Sequence, residues 1–161
     1  MEISLLKEGD PFLKNVVEPY DFTTDGDPTE LVKAMTKIMF ENNGIGLAAP
    51  QVGVAKRLFI MGNSDKLIVC INPKIITGEG PTRDLEGCLS FPNLWLRVLR
   101  NETIQVKYQN LTGETIDQTL SGLAARVFQH ELDHLDGICF DTRVGPAALD
   151  LAKEKRRRKS R

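Results

Sequence analysis

His130 and His134 are the only two histidines of the chain, and they stand four residues apart with Glu131 directly after the first. On a helix, residues four apart lie on the same face, so both imidazoles can bind one metal ion with the glutamate beside it. This HExxH pattern is typical of metal-dependent hydrolases, in which the glutamate moves a proton. The alternative is a pair of structural histidines, which would leave two imidazoles on a largely apolar helix in need of other polar partners.

A third ligand is needed, because a catalytic zinc-type site usually holds its ion with three protein side chains and leaves one position for water. Glu154 is the only glutamate after the motif, and it lies in a basic tail, which makes the geometry of zinc proteases unattractive. Among the thiols, Cys70 lies in an apolar run typical of a buried strand. Cys139 follows the glycine that should end the helix, and Cys88 lies in a segment bracketed by glycine and proline. Spacing alone leaves Cys88, Cys139 and the aspartates open.

A third segment, residues 44–53, reads Gly-Ile-Gly-Leu-Ala-Ala-Pro-Gln-Val-Gly. Its two leading glycines allow another chain to approach the backbone closely, and Ile45 and Leu47 offer apolar contacts. The segment lacks the Gly-Lys-Ser/Thr ending of a phosphate-binding loop. Taken alone, it is most simply explained as a turn from a helix into a strand.

Together these segments resemble the peptide deformylases, metal hydrolases that remove the formyl group from the N-terminal methionine of new proteins and release formate. The family's motifs are GφGφAAxQ, EGCφS and QHExDHφxG, where φ is apolar, and they stand in that order at residues 44–51, 86–90 and 129–137. The resemblance implies one α+β catalytic domain over residues 1–161. In that fold, β-sheets surround a central buried helix that carries the histidines, with an N-terminal helix and a short C-terminal helix.

The resemblance also implies the metal ligands, namely Cys88, His130 and His134, and so selects one of the alternatives that spacing leaves open. Glu131 becomes the general acid and base. One divalent ion per chain is expected, Fe²⁺ physiologically, with Zn²⁺ or Ni²⁺ able to occupy the site in purified protein.

The remaining site residues follow in the same way. The resemblance implies that the side chain of Gln51 and the backbone N–H of Leu89 stabilise the oxyanion. The substrate peptide is expected to pair as an added strand with residues 44–47. The expected pocket for the methionine side chain consists of Ile45, Gly46, Leu89 and Val127.

Three helices are expected to position these residues. Asp27, Pro28 and Glu30 form the capping pattern of a first helix that Asn43 and Gly44 would end. A second helix should run over residues 122–135, with Ser121 as N-cap and a glycine just past its end. A third helix should begin near Pro146 and carry the tail.

The middle of the chain is rich in strand patterns. Strands are expected at residues 57–61, 67–72, 74–77, 94–99, 103–109 and 114–120, with a hairpin turn at residues 110–113. Since strands and helices do not alternate as βαβ units, the class is α+β. Trp95 lies where a substrate-facing loop is expected, and it is either a core anchor or a contact for the peptide.

Composition excludes several classes of protein. The chain has 161 residues, 41% hydrophobic and 27% charged, the balance of a globular domain. Its apolar runs are far shorter than the ~20 residues of a membrane span, and its first residues do not resemble a signal peptide. Three cysteines without regular spacing do not form a disulfide framework, which favours a reducing compartment. A cytoplasmic protein is therefore expected.

Residues 153–161 hold seven of the 21 basic residues and one of the 22 acidic ones, which leaves a net charge of −7 on residues 1–152. This basic tail suggests contact with the ribosome, because RNA phosphates attract basic segments, and the family contacts ribosomes through its C-terminal helix. It is equally compatible with a solvated helix end. The competing functions are another HExxH hydrolase, such as an aminopeptidase, and a non-catalytic domain that binds ribosomes or RNA.

Overall fold

The computed structural model describes residues 1–160 as three α-helices and five strands, joined by turns of 3-10 helix. The five strands form one antiparallel sheet in chain order, which confirms the α+β class. None of the described helices is long and apolar enough to cross a membrane. The elements, in chain order, are α1 (Thr29–Glu41), β1 (Gly46–Ala48), β2 (Leu58–Gly62), β3 (Leu67–Cys88), β4 (Phe91–Gln109), β5 (Thr115–Ser121), α2 (Gly122–Leu135) and α3 (Pro146–Lys159).

β3 and β4 form a long hairpin and are longer than the sequence predicted. The separate strands expected at 67–72 and 74–77 are parts of one strand, and residues 78–86, predicted as no strand, pair with residues 96–104 of β4. The register shifts twice in the first half of β3, and such irregularities let a strand bend. The hairpin can therefore curve past the helix that it covers.

α2 occupies the predicted residues, and it contacts β1, β2, β4 and β5. Phe128 packs edge-to-face on Phe59 of β2, with ring centroids 5.0 Å apart. Gly137, two residues after the end of α2, has a backbone dihedral φ of +71°. A Cβ at this position would lie 2.4 Å from the carbonyl oxygen of Lys14. Ser121 precedes the helix as predicted, but its hydroxyl bonds to that of Thr103 at 3.0 Å instead of capping the helix.

α1 begins at Thr29, one residue later than the capping pattern predicted, and Asp27 accepts a hydrogen bond from the Thr29 backbone N–H at 2.9 Å. Met35 and Met39 are fully buried in an apolar cluster that joins this helix to β1 and β2. The hairpin turn at residues 110–113 and the start of α3 at Pro146 are as predicted. Arg161, the last residue of the basic tail, lies outside the described residues.

Candidate metal centre

Three side chains capable of binding a metal meet where the end of β3 crosses α2. Cys88 is the last residue of β3, while His130 and His134 lie on one face of α2. One donor atom from each of the three lies within 4.8 Å of the others, and Cys88 Sγ is 3.4 Å from His134 Nε2. Cys139, the alternative thiol, lies outside this group, and burial raises its pKa to about 12. Cys70 is fully buried in the sheet, which raises its pKa further.

Glu86 fixes the orientation of the His130 ring. His130 Nδ1 donates a hydrogen bond to Glu86 Oε1 at 2.9 Å. Arg100 donates hydrogen bonds to both oxygens of the same carboxylate, at 2.9 and 3.0 Å. Arg126 on α2 adds a third donor at 2.7 Å. Burial alone would raise the pKa of Glu86, but the hydrogen bonds from His130 and Arg100 lower it to about 2. An anionic Glu86 holds the proton of His130 on Nδ1 and leaves Nε2 for an ion.

The same charged cluster extends to Asp133 on the next turn of α2. Arg100 donates to Asp133 Oδ2 at 2.6 Å, and Arg143 binds both oxygens of that carboxylate at 3.0 and 2.7 Å. Arg100 thus links β4 to both carboxylates and fixes the helix against the hairpin. Buried charges of this kind are tolerated because each is paired and hydrogen-bonded.

The sequence patterns did not single out this cluster of Glu86, Arg100, Arg126 and Asp133. One signal was available: Glu86 precedes Cys88 by two residues, the spacing that places two side chains on one face of a strand. The arginines carried no such signal, because they come from β4 and α2 and meet Glu86 only through the fold.

Glu131 is buried beside the ligands, and its Oε1 has no hydrogen-bond partner within residues 1–160. Burial raises the pKa of this carboxyl to about 7, which suits a group that takes up and releases a proton near neutral pH. The backbone of β1 passes very close to it, since a Cβ added to Gly46 would lie 2.5 Å from Glu131 Oε2. Only glycine permits this approach.

Gln51 reaches the same centre from the turn of 3-10 helix that follows β1. Its Oε1 accepts a hydrogen bond from the Ala48 N–H at 2.9 Å, so its Nε2 faces the centre. That Nε2 donates to the Ser90 hydroxyl at 3.1 Å and lies 3.6 Å from Cys88 Sγ. Leu89 lies between Cys88 and Ser90, in the turn that joins β3 to β4.

A cleft of about 640 Å³ opens in front of these groups, within the size range of ligand pockets. The predicted pocket residues Ile45, Gly46, Leu89 and Val127 all line it. Trp95 lines the cleft as well. It is 54% exposed, so it is not an anchor of the core. Its ring lies across Gly87, where a Cβ would come within 2.6 Å of it.

The donor set fits a divalent first-row metal ion, because one thiol and two imidazoles are ligands that such ions accept. Burial lowers the pKa of His134 well below its ordinary value, so its ring is neutral and able to bind an ion. Burial also opposes charge on His130, yet contacts with Cys88, Glu131 and Glu86 raise its pKa well above the ordinary value. The surroundings of that ring therefore favour positive charge, whether a proton or a metal ion.

Comparisons with known proteins agree with this geometry. A family model described as polypeptide deformylase matches residues 3–148. A peptide deformylase of Thermotoga maritima is 40% identical over 148 residues, which cover 91% of this chain and 90% of the relative. One from Dictyoglomus thermophilum is 46% identical over 132 residues, or 82% of this chain and 86% of the relative. The crystal structure of peptide deformylase from Thermus thermophilus superposes with a TM-score of 0.86 at 40% identity, covering 95% of this chain and 92% of the other.

Proposed function

Since this chain belongs to the peptide deformylase family, we propose that Cys88, His130 and His134 hold the metal ion on which the family depends. Peptide deformylases are hydrolases that remove the N-formyl group from newly made peptides, and this is the activity of the chain. The convergence of one thiol and two imidazoles beside a buried carboxylate carries the assignment of residues. A divalent ion bound there would act as a Lewis acid on the formyl group and would lower the pKa of a water.

Glu131 is the proton carrier of the proposed mechanism. Its Oε1, which has no hydrogen-bond partner within residues 1–160, accepts a proton from the water that attacks the formyl carbon. The same carboxyl then delivers a proton to the leaving amine. The products are formate and a peptide with a free N-terminus. The closeness of Gly46 leaves the carboxylate little room to rotate away from this position.

Gln51 and Leu89 supply the donors for the oxyanion in this proposal. Two hydrogen bonds hold the Gln51 amide, so its Nε2 is already oriented before substrate binds. The backbone N–H of Leu89 follows the ligand Cys88 in a tight turn and is fixed with it. Donors that need no reorganisation during the reaction lower its barrier most effectively.

The substrate peptide binds along β1, whose only strand partner within residues 1–160 is β2. Ile45 O accepts a hydrogen bond from Gly62 N–H at 2.9 Å on the β2 side. Because successive residues of a strand point their backbone groups to opposite sides, the N–H and C=O of Gly46 face the open edge. A peptide laid there places its first side chain near Leu89 and Val127.

Iron is the proposed physiological ion, and the chain is proposed to form one catalytic domain over residues 1–161 in the cytoplasm. In the cell, the basic residues of the tail are proposed to contact ribosomal RNA.

Iron beside a single thiolate is sensitive to oxygen, because oxygen can oxidise both the ion and the sulfur. Zinc or nickel would then replace iron in protein made in air.

Formate release from formyl-Met-Ala-Ser tests this function, with protein purified anaerobically and loaded with iron, zinc or nickel. We expect iron-loaded protein to release formate and to lose activity in air faster than the nickel-loaded form. Unblocked Met-Ala-Ser serves as the control. Release of methionine from that peptide, without formate release from the formyl peptide, would instead identify an aminopeptidase.

A further inference from the structure

The first residues of the chain contact both turns that carry the proposed oxyanion donors. Leu6 N–H donates to the carbonyl oxygen of Gln51 at 2.7 Å, and Glu8 N–H donates to that of Ser90 at 2.7 Å. Gln51 lies after β1, whereas Ser90 lies in the turn between β3 and β4. Residues 6–8 therefore connect two turns that no strand pairing joins directly.

The two donors lie only two residues apart, in a segment without helix or strand, and this short span makes the segment a spacer. Backbone nitrogens two residues apart are separated by at most about 7 Å, because each residue advances the chain by no more than about 3.6 Å. Donors at positions 6 and 8 thus limit how far apart the Gln51 and Ser90 carbonyl groups can move. The direct link between the turns, Gln51 Nε2 to Ser90 Oγ, involves side chains alone and cannot fix the backbones.

Neighbouring side chains fix the segment in place. Leu5 packs against the apolar cluster formed by α1, β1 and β2. Leu6 packs against a separate cluster that includes Phe91 and Phe140. The carboxylate of Glu8 pairs with Arg156 of α3 at 2.5 Å, which holds the segment from the other side.

We propose that residues 6–8 position the oxyanion donors, by setting the distance between the Gln51 amide and the Leu89 N–H. The inference rests on the proposed function, which gives those two groups their role. A displacement of about 1 Å at a reacting centre can cost up to 100-fold in rate, so the segment acts on turnover without touching substrate.

The test compares proline with alanine at Leu6. Both substitutions remove the apolar side chain, but only Leu6→Pro removes the N–H that binds the Gln51 carbonyl. Relative to Leu6→Ala, we expect Leu6→Pro to lower kcat about tenfold, with KM changed by less than about twofold. Metal per chain should be equal in the two variants, and circular dichroism checks that both are folded.

The same pair of substitutions in a Gln51→Ala background separates positioning from general loss of structure. Without the amide to position, we expect Leu6→Pro and Leu6→Ala to have the same kcat within about twofold. An equal tenfold loss in both backgrounds, or equal kcat in the otherwise unchanged protein, would overturn the inference. If Gln51→Ala alone turns over normally, the oxyanion role of Gln51 in the proposed function fails as well.

Should Leu6→Pro not fold, Glu8→Pro and Glu8→Ala form the second pair, because only the proline removes the bond to the Ser90 carbonyl. A tenfold lower kcat for Glu8→Pro is again expected. Hydrogen exchange of the unmodified protein covers the case in which neither proline variant folds. Both amides should be protected, and exchange of Leu6 and Glu8 at the rate of a frayed terminus would refute the positioning role.

Discussion

Glu86 and His130 form a hydrogen-bonded pair in which the carboxylate oxygen lies 2.9 Å from Nδ1 of the ring. The carboxylate itself is held by Arg100 and Arg126, so the ring is fixed by a group that cannot move away. Orientation of a metal-binding histidine by a carboxylate contributes to the affinity for the ion. The pair therefore belongs to the proposed metal centre, in which Glu86 orients a ligand and is not itself a proposed ligand.

Glu86→Gln should weaken metal binding by about 10- to 100-fold, because a neutral amide orients the ring less strongly and makes Nε2 a poorer donor. The measurement is metal per folded chain after dialysis against chelators of increasing strength. Asp84→Asn is the matched control, since Asp84 is an exposed acid on the same strand. Equal retention of metal in the two variants would contradict the role of Glu86.

Glu131→Gln should keep the fold and the metal content, because Glu131 is not one of the proposed ligands. Without the carboxylate that accepts the proton, the rate of formate release should fall by about 10²- to 10⁴-fold. Stopped assays of formate with metal-replete protein measure this change. Near-normal turnover would show that another group moves the proton.

Cys88→Ser should lose most of its bound metal, because a neutral hydroxyl replaces a soft anionic donor. Cys70→Ser and Cys139→Ser change thiols that lie outside the three-residue cluster, and they should retain metal. Elemental analysis of the three folded variants gives metal per chain. Loss of metal from Cys139→Ser with retention in Cys88→Ser would reverse the assignment of the third ligand.

Trp95 is the only tryptophan of the chain, so its fluorescence reports on the cleft that it lines. Formyl-Met-Ala-Ser added to the slow Glu131→Gln protein should change the emission, and Trp95→Ala should raise KM about fivefold through loss of an aromatic contact. Leu99→Ala provides the control, because Leu99 is exposed on the same strand but does not line the cleft. Unchanged emission and an unchanged KM would show that the peptide passes elsewhere.

Contact of the tail with the ribosome should depend on cations that have no ion-pair partner among residues 1–160. Arg156 binds Glu8, and Arg157 and Arg158 pair with Glu154, so the triple variant replaces Lys153, Lys155 and Lys159 with glutamine. Co-sedimentation with ribosomes should weaken at low salt, since neutralising cations removes phosphate contacts, while turnover of a short peptide should not change. A variant that replaces three exposed lysines outside the tail, Lys33, Lys37 and Lys74, with glutamine controls for net charge. Equal sedimentation of the two variants would show that the tail does not contact the ribosome.

The sequence predicted the helices well because their signals are local. Ser121 and Gly137 flank a run of residues that suit a helix, and α2 occupies residues 122–135 as expected. The two histidines and Glu131 converge as predicted because they share that one helix, whose geometry fixes their spacing.

The third ligand and the full length of β3 depend on contacts distant in sequence, which local patterns do not contain. Residues 78–86 are rich in glycine and charged residues, typical of a loop, and they become a strand because β4 pairs with them. This pairing brings Cys88 to His130, which spacing could not establish. The resemblance to the family supplied that choice, and the structure places the thiol beside both imidazoles.

β1 has a consequence for the behaviour of the protein at high concentration. An exposed edge strand offers unpaired backbone groups that other copies of a chain can use to self-associate. This edge is only three residues long, and the side chain of Gln51 already occupies the N–H of Ala48. The first residues of an extended peptide can pair there, but a full strand from a second copy finds too few partners to aggregate. β1 is thus long enough for the proposed pairing with a substrate peptide and too short to act as a template for a full strand of another copy.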